Sequence, residues 1–381
     1  MPMRICLVTP YDLSHDGGVN RHVITLARAL RHLGHETQVL GPASGATPPW
    51  CDSLPGVVPL RANGSRARVG LLVSRRAVQR YLEEGDFDLV HVHEPWVPGP
   101  ARYAVQYSDA PLVATFHTYA ESESCVTRMA RRVLARPLRR INCAIAVSGL
   151  AADFARGVFC GPIHVVPNGI DSATFANLHS PRDPDMLAAP REPGPLRLLF
   201  VGRFDEPRKG LRHFLAAAAL IRRRGRHIQV RIVGHGDPRP FQALADRAGA
   251  RFFGRLDDES LAQMYRWCDV FCAPSTHGES FGVVLIEAMA SGRPVVASNI
   301  PGYRDATVGA AILVPPGDDR SLADAILRMA DDERLRVHIV KQGWQRAHQL
   351  AWSRVVLHIN SLYEDAAAGR SARRDAVGVS A

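Results

Sequence analysis

Two adjoining stretches, Asp269-Val-Phe-Cys-Ala-Pro-Ser275 and Glu279-Ser-Phe-Gly-Val-Val-Leu-Ile-Glu287, decide the fold of the second half of this chain. The first is a short apolar run with β-branched and aromatic residues, which predicts a strand. The second becomes an apolar run that predicts a helix from about Phe281 to Ala290, stopped by Gly292. A strand, a polar loop and a helix in this order are typical of an open α/β sheet.

The start of this predicted helix is a candidate anion site. The backbone amides of Phe281, Gly282 and Val283 lack partners within the helix and lie at the positive end of its dipole, so they attract phosphate. Glu279 precedes this terminus and Glu287 lies two turns inside the helix. A ligand with a diphosphate between two polyols, such as a nucleotide sugar, would reach both carboxylates. Ordinary solvated carboxylates are the alternative interpretation.

A basic loop follows another predicted strand. Gly202-Arg-Phe-Asp-Glu-Pro-Arg-Lys-Gly210 comes directly after the apolar run Leu196-Arg-Leu-Leu-Phe-Val201. Open α/β sheets bind ligands beyond the carboxyl ends of their strands, and cations there suit a diphosphate. Arg203 and Lys209 are therefore candidates to hold that group.

Short apolar segments alternate with helical patterns along most of the chain, which predicts parallel, doubly wound sheets. Further predicted strands are Arg4–Thr9, Glu36–Leu40, Asp88–His93, Leu112–Phe116, Cys143–Val147, Ile163–Val166, Ile228–Val233, Arg251–Phe253 and Pro294–Ala297. Five prolines between residues 180 and 196 predict a connector. We expect two Rossmann-like domains, residues 1–170 and 171–352, and a disordered tail at 369–381.

The composition is that of a soluble globular protein. The 381 residues are too many for one compact core, and they are 46% hydrophobic and 22% charged. No apolar run approaches ~18 residues, so we expect neither a transmembrane helix nor a signal peptide, and we place the chain in the cytoplasm. Seven scattered cysteines predict reduced thiols rather than disulfides or a zinc site.

With these motifs the chain resembles the GT-B fold retaining glycosyltransferases of family GT4, or group 1, and among them the actinobacterial phosphatidylinositol mannosyltransferases. The resemblance extends from about Met3 to Tyr363. Besides the two loops above, it rests on Pro10-Tyr11, Asp16-Gly-Gly-Val19, Gly85-Asp-Phe-Asp-Leu-Val-His-Val-His-Glu-Pro95, Val113-Ala-Thr-Phe-His-Thr118 and Val165-Val-Pro-Asn-Gly-Ile-Asp171. It implies two Rossmann-like domains that face each other across a cleft, with a last helix, residues 353–368, packed back on the first domain.

The resemblance also implies roles for single residues. Arg203 and Lys209 would stabilise the leaving diphosphate, Glu279 would bind sugar hydroxyls, and His117 would organise the reaction centre. The implied donor contacts are Gly17, Gly18, Arg203, Lys209, Asp257, Glu279, Ser280, Phe281, Gly282, Val283 and Glu287, the last on the ribose diol. The implied acceptor contacts are Tyr11, Asn20, Asn63, Arg68 and Thr118. For His91 and His93 we favour a structural role.

The implied reaction moves a hexose with retention of configuration. We expect mannose from GDP-mannose and an inositol-containing lipid acceptor such as phosphatidylinositol. Another nucleotide sugar, such as UDP-GlcNAc or UDP-glucose, with a soluble inositol phosphate or another lipid, is the alternative. No metal or other cofactor is expected, because Arg203 and Lys209 supply positive charge. A catalytically inactive binding module and a nicotinamide oxidoreductase are the other classes, and Gly17-Gly18 lacks the G-x-G-x-x-G spacing of the latter.

The excess of basic residues predicts an anionic partner. The net charge is +10, and arginines cluster at residues 66–80 and 128–140 with apolar residues between them. Such basic amphipathic segments bind anionic membranes, although a solvated helix face is the alternative. We expect Arg75, Arg76 and Arg80 to contact the inner face of the cell membrane peripherally. Nucleic acid is not expected, because few aromatic residues separate the arginines.

The acceptor is the less defined partner. At Asn20, Ala62 and Ser122 the sequence departs from the mannosyltransferase pattern, which has glutamine, tyrosine and lysine there. These departures put the contacts to the acceptor headgroup in doubt. We expect the protein to be a monomer or a weak dimer.

Overall fold

The computed structural model of the chain describes residues 1–15, 17–62, 65–119, 136–175 and 194–378. The chain divides into two compact units. The N-terminal unit consists of Met1–Gly169 and Trp352–Ala381, and the C-terminal unit consists of Ile170–Ala351. The N-terminal unit is therefore built from two separate parts of the sequence.

The N-terminal unit alternates strands and helices. Its strands are β1 (Arg4–Val8), β2 (Glu36–Pro42), β3 (Cys51–Leu54), β4 (Val58–Ala62), β5 (Ser65–Val69), β6 (Leu89–His93), β7 (Leu112–Phe116), β8 (Cys143–Ala146) and β9 (Ile163–Val165). Its helices are α1 (Gly18–His32), α2 (Arg75–Glu84), α3 (Pro100–Tyr107), α4 (Gly149–Arg156) and the last helix of the chain, α13 (Trp352–Gly378). Seven strands form a parallel sheet in the order β3-β2-β1-β6-β7-β8-β9, and β4 and β5 form an antiparallel hairpin.

Both faces of this sheet are covered, as the continuous apolar strands predict. Successive side chains alternate between the faces. In β1, Cys6 and Val8 belong to the core on the side of α2 and α3, whereas Ile5 and Leu7 belong to the core on the side of α1 and α13. A doubly wound sheet follows from this arrangement.

The C-terminal unit repeats the pattern. Its strands are β10 (Leu196–Val201), β11 (Ile228–Val233), β12 (Ala250–Phe252), β13 (Val270–Ala273), β14 (Val295–Ser298) and β15 (Ile312–Val314). Its helices are α5 (Ser172–Phe175), α6 (Leu211–Arg223), α7 (Gln242–Ala248), α8 (Asp258–Trp267), α9 (Val283–Ala290), α10 (Pro301–Thr307), α11 (Asp319–Asp331) and α12 (Glu333–Gln349). The sheet is parallel with the order β12-β11-β10-β13-β14-β15, and apolar cores cover both faces.

The strand orders locate the binding edges of both sheets. In each sheet the order reverses beside the first strand, between β1 and β6 and between β10 and β13. Open parallel sheets bind ligands beyond the carboxyl ends of strands at such a reversal. The loops after these four strands are therefore the expected binding sites.

The structure corrects three predictions. Helix α9 starts at Val283 rather than at Phe281. Arg68 lies in strand β5, so the basic residues 66–80 do not form one helix. Helix α13 runs to Gly378, whereas the sequence predicted disorder from residue 369. The segment Ser371-Ala-Arg-Arg-Asp-Ala-Val377 contains neither glycine nor proline and is dominated by strong helix formers, which extends the helix.

Candidate active site

Charged side chains from the loops after β10 and β13 meet in the C-terminal unit. Glu279 Oε1 lies 2.7 Å from Lys209 Nζ and 2.9 Å from Arg208 Nη1, and it accepts a hydrogen bond from Ser275 Oγ at 3.2 Å. Burial alone would raise the pKa of Glu279, but Lys209 and Arg208 outweigh burial and lower it. Glu279 is therefore held as a carboxylate between two cations.

The same network extends to Arg203 through a second buried carboxylate. Glu206 Oε1 lies 2.8 Å from Arg203 Nη2, and Glu206 Oε2 lies 2.6 Å from Arg208 Nη2. Arg203 and Lys209 thus belong to one chain of ion pairs, with 46% and 19% of their side chains exposed. The sequence analysis missed Glu206 and Arg208, although both stand in the quoted basic loop. Both side chains are buried, which marks them as part of the network, and burial cannot be read from the sequence.

Close backbone packing brings the two loops together. Gly210 has φ +74°, and a Cβ there would lie 1.9 Å from the carbonyl oxygen of Pro274. The N–H of Thr276 donates to the carbonyl of Arg208 at 2.8 Å. Only glycine fits at this contact, so Gly210 sets the distance between the cationic loop and Glu279.

The start of α9 is adjacent to this network. Gly282 precedes the helix with φ +84°, and a Cβ there would lie 2.6 Å from Tyr303 Cε1. The helical amides begin at Val283, while Phe281 is buried in the apolar core and Ser280 precedes it. The predicted cluster of glycine and helix amides is thus present, two residues later than expected.

Glu287 is not a solvated surface carboxylate. Its side chain is 2% exposed, and its Oε2 accepts a hydrogen bond of 2.8 Å from the hydroxyl of Tyr265 in α8. A buried carboxylate fixed in this way is positioned rather than free, which favours a binding role over the surface alternative.

Asp257 caps α8, because its carboxylate accepts the N–H of Ser260 at 2.7 Å, and this bond lowers its pKa.

In the N-terminal unit, the loop after β1 is held by a buried carboxylate that the sequence analysis did not select. Asp12 accepts hydrogen bonds from Ser14 and Ser44 and lies 3.0 Å from Arg68 Nε. Arg68 is therefore fixed at this edge. Tyr11 is the neighbouring residue and forms an isolated bridge with Val69.

Asn20 is hydrogen-bonded within the loop after β1. Its amide nitrogen donates to the carbonyl of Asp12 at 2.7 Å, and its oxygen lies 3.1 Å from Thr9 Oγ1. The side chain is buried and its hydrogen bonds support the loop, and its contact with the acceptor stays a prediction. Gly17 and Gly18 have open space where a Cβ would lie, whereas Asn63 and Ser122 lie outside the described residues.

Three histidines gather at the carboxyl ends of β6 and β7. His93 Nδ1 lies 3.0 Å from His117 Nε2, and His22 Nδ1 lies 2.9 Å from Asn168 Oδ1. Burial lowers the pKa of all three, to about 4 for His22, so the imidazoles are neutral. Their ring nitrogens lie within 4.8 Å of one another, and this group suits a metal such as zinc. That the reaction needs no metal stays a prediction.

Glu94 follows β6 in the same group and was also missed. Its Oε1 accepts hydrogen bonds from the N–H of His117 at 2.8 Å and from Thr118 Oγ1 at 2.9 Å. The strand containing His91 and His93 ends directly before it. His91 has the structural role expected of it, because its ring nitrogens contact Tyr363 Oη and Thr115 Oγ1.

The basic helix α2 differs from the expected amphipathic segment. Arg75, Arg76 and Arg80 are exposed, but Val78 and Leu82 are buried in the core of the unit. Leu72, just before the helix, is 75% exposed. The apolar side of α2 is therefore occupied by the protein itself. Among the described residues, no helix is long and apolar enough to cross a bilayer.

Comparison with known proteins agrees with this architecture. The model described as "Glycosyltransferase Family 4" matches residues 16–174, and the one described as "Glycosyl transferases group 1" matches residues 195–332. A phosphatidyl-myo-inositol mannosyltransferase of Mycolicibacterium smegmatis is 39% identical over 369 residues, which cover 95% of this chain and 94% of the relative. A D-inositol 3-phosphate glycosyltransferase of Xylanimonas cellulosilytica is 29% identical over 94% of both chains.

Among solved structures, sucrose-phosphate synthase from Thermosynechococcus elongatus superimposes with a TM-score of 0.73 at 25% identity, covering 96% of this chain and 99% of that one. Two Rossmann-like units with these neighbours define the GT-B class of glycosyltransferases. The chain belongs to the group 1 glycosyltransferases, family 4.

Proposed function

We propose that this chain is a retaining hexosyltransferase that moves mannose from GDP-mannose to an inositol-containing lipid, such as phosphatidylinositol, at the cytoplasmic membrane face. The family membership supports sugar transfer, and the name of the M. smegmatis relative supports the sugar and the acceptor. The observation that carries the proposal is the convergence of Lys209, Arg208 and Glu279 beyond β10 and β13.

This convergence supports a donor site in the C-terminal unit. Lys209 offers an ammonium for a diphosphate, and Glu279, whose Oε1 lies 2.7 Å from Lys209 Nζ, offers a carboxylate for sugar hydroxyls. Glu279 pairs with Arg208 as well as with Lys209, so one carboxylate does not neutralise both cations. Positive charge therefore remains at Lys209 for the ligand. Negative charge builds on the diphosphate as the glycosidic bond breaks, so a fixed cation stabilises the transition state more than the ground state. The departing phosphate then accepts the proton of the acceptor hydroxyl.

Lysine is rare in this chain, which makes a matched test possible. Lys209 and Lys341 are its two lysines, and Lys341 lies exposed in α12. Lys209→Ala should lower kcat/KM for mannose transfer by about 100- to 1,000-fold, the usual effect of removing a preorganised charge. Lys341→Ala should leave it unchanged, and both variants should remain folded at the assay temperature. Full activity of folded Lys209→Ala would overturn the proposal.

The nucleotide can be identified by thermal unfolding. A ligand that binds only the native state raises the melting temperature, so GDP and GDP-mannose should shift it more than UDP, ADP or their sugars. Glu279→Gln should reduce the additional shift that the sugar gives over GDP alone. A larger rise of the melting temperature with UDP-sugars would contradict GDP-mannose as the donor and would indicate a UDP-sugar instead.

The acceptor side is supported by the anchored guanidinium of Arg68. Asp12 holds this side chain 3.0 Å away, and 42% of the side chain stays exposed for a phosphate group. A soluble inositol phosphate offers similar chemistry, and the X. cellulosilytica relative is named for such an acceptor. Transfer to phosphatidylinositol in mixed vesicles and to inositol 1-phosphate in solution should be compared directly. Faster transfer to the soluble compound would favour the second acceptor.

Membrane association is supported by the exposed arginines of α2 and by the exposed Leu72. Charge-reversal of Arg75, Arg76 and Arg80 to Glu should abolish co-sedimentation with vesicles that contain anionic lipid. The same change at Arg222, Arg223 and Arg224, which are exposed in and after α6, is the matched control. Equal loss in both triple variants would show that net charge alone causes the binding.

The remaining parts of the proposal concern the reaction itself. Retention of configuration should appear as an α-linked product in NMR spectra of the anomeric carbon. Arg203 and Lys209 supply the positive charge that a metal supplies in other transferases, so exhaustive chelation should leave full activity. Activity that is lost on chelation and restored by magnesium would contradict the metal-free mechanism.

A further inference from the structure

Glu94 has an unusual backbone conformation for its position. It directly follows β6 and is fully buried, and its φ is +54°. Side chains other than glycine rarely adopt this left-handed conformation, and where they do, the surrounding structure must enforce it. Such residues concentrate at functional sites, so the contacts of Glu94 need an explanation.

The backbone of Glu94 is fixed on both sides. Its N–H donates to the carbonyl of Thr115 in β7 at 2.8 Å, and its carbonyl accepts the N–H of Val97 at 3.0 Å. These bonds join the end of β6 to the neighbouring strand and to the turn that follows. The left-handed conformation turns the side chain of Glu94 toward the end of β7.

The carboxylate accepts hydrogen bonds at both of its oxygens. Oε1 accepts the N–H of His117 at 2.8 Å and the hydroxyl of Thr118 at 2.9 Å, and Oε2 accepts the indole N–H of Trp96. A carboxylate accepts hydrogen bonds at both oxygens, whereas a glutamine side chain would turn an NH₂ group toward at least one of these donors. The donors at both oxygens therefore select glutamate at this position.

His117 is held from two directions as a result. Its backbone is bound to Glu94, and its ring Nε2 lies 3.0 Å from His93 Nδ1. Tyr11 is near enough that the charge of Glu94, after burial, contributes to raising the pKa of its hydroxyl. Glu94 thus binds His117 and Thr118, two residues that the sequence analysis selected, while its own side chain is closed to solvent.

We infer that Glu94 is a positioning residue that holds His117 and Thr118 at the carboxyl end of β7 in the geometry that acceptor glycosylation requires. The inference rests on the proposed function for its kinetic consequence only. Glu94 touches neither substrate, and its effect passes through the two residues that it binds. A displacement of about 1 Å at a reacting group lowers the rate by about 100-fold. The loss of the hydrogen bonds from His117 and Thr118 to Glu94, which we call the clamp, should therefore be measurable.

The main test is Glu94→Gln. It should lower kcat for transfer by about 10- to 100-fold, while the Kd of GDP, which we place in the other unit, stays within about twofold of wild type. In protein labelled with ¹⁵N-histidine, the backbone amide resonance of His117, assigned with His117→Gln, should shift because the amide loses its carboxylate acceptor.

Two further variants keep the inference falsifiable if Glu94→Gln folds poorly. Trp96→Phe removes the donor to Oε2 and leaves both bonds to Oε1, so a smaller fall of kcat, about 3- to 10-fold, and a smaller shift of the His117 resonance are expected. The matched control is Trp344→Phe, because the Trp344 indole stacks on His348 in α12. This substitution should change neither kcat nor the His117 resonance.

The outcomes separate the alternatives. Unchanged kcat in folded Glu94→Gln, or an unmoved His117 resonance, would overturn the inference. A parallel loss of kcat, GDP binding and melting temperature would indicate a purely structural role and would also overturn it. If no acceptor tested receives a sugar from any donor, the proposed function fails, but the His117 resonance still tests the clamp.

Discussion

Acidification should destabilise the N-terminal unit, because histidines are buried there as neutral rings. Burial lowers the pKa of His22 to about 4 and that of His91 to about 3, and it places those of His93 and His117 well below the ordinary value. The unfolded chain binds protons with the ordinary histidine pKa of about 6.5, so it binds more protons than the native state below that pH. The stability that the neutral histidines contribute is thus fully present above pH 6.5, and it is lost progressively as the pH falls toward 4 and below.

The size of the effect follows from these pKa values. At pH 5 an unfolded histidine is almost fully protonated, whereas His22 and His91 remain mostly neutral in the native protein. Proton linkage then gives a loss of about 2 kcal/mol for each of the two rings between pH 7.5 and pH 5. Their sum of about 4 kcal/mol is a large part of the ~5–15 kcal/mol that stabilises an ordinary domain.

The variant that tests this reasoning is His91→Gln. The free energy of unfolding should be measured by urea titration with tryptophan fluorescence at several pH values between 5 and 7.5. Near pH 5 the wild-type slope against pH should exceed the slope of the variant by about 1.3 kcal/mol per pH unit, the contribution of one proton. His358→Gln, at an exposed position of α13, should keep the wild-type slope. Equal slopes for His91→Gln and wild type would refute the argument.

Three other substitutions test the described contacts. Asp12→Asn should lower the free energy of unfolding by about 2 kcal/mol at neutral pH, because hydrogen bonds outweigh burial and lower the Asp12 pKa to about 2. In urea titrations the difference between wild type and variant should vanish as the pH falls from about 4 to 2. Gly210→Ala should lower the melting temperature strongly and abolish donor binding, since its Cβ would meet the carbonyl of Pro274 at 1.9 Å; an unchanged melting temperature would contradict this packing. Tyr265→Phe should cost about 1–3 kcal/mol and weaken nucleotide-sugar binding in calorimetry, because Glu287 loses a buried donor; unaltered binding would argue against Glu287 as a ligand contact.

Much of the fold was predictable, because both sheets are buried on two faces and their strands therefore read as continuous apolar runs. The bounds of Leu112–Phe116, Ile228–Val233 and Leu196–Val201 agree with the structure to the residue. The antiparallel hairpin Val58–Ala62 and Ser65–Val69 was missed, because its arginines and its Pro59 obscure the alternation that marks an exposed strand. The tail was misjudged because polar composition was weighed above helix propensity.

The candidate site was predictable where a residue type is unusual for its place, as with Lys209 or Glu279 beyond a strand. The partners of these residues were not predictable, because ion pairs such as Arg208 with Glu206 depend on which loops the sheet brings together. Asn20 shows the same limit. Its position in a family motif predicts a ligand contact, and only the packing shows that its amide also holds the loop. Burial of polar groups is the property that a single sequence conceals.

Helix α13 has a consequence for how the protein is made. The ribosome adds Trp352–Gly378 only after the whole second unit, yet Val356, Ile359 and Tyr363 cover one face of a sheet whose first strand precedes that unit. At ~5–20 residues per second, the intervening Ile170–Ala351 takes about 10–40 s to translate, and during that time the part of the apolar face that α13 covers stays exposed. The nascent chain must therefore be shielded, and a premature stop codon anywhere in the second unit leaves the first unit incomplete as well.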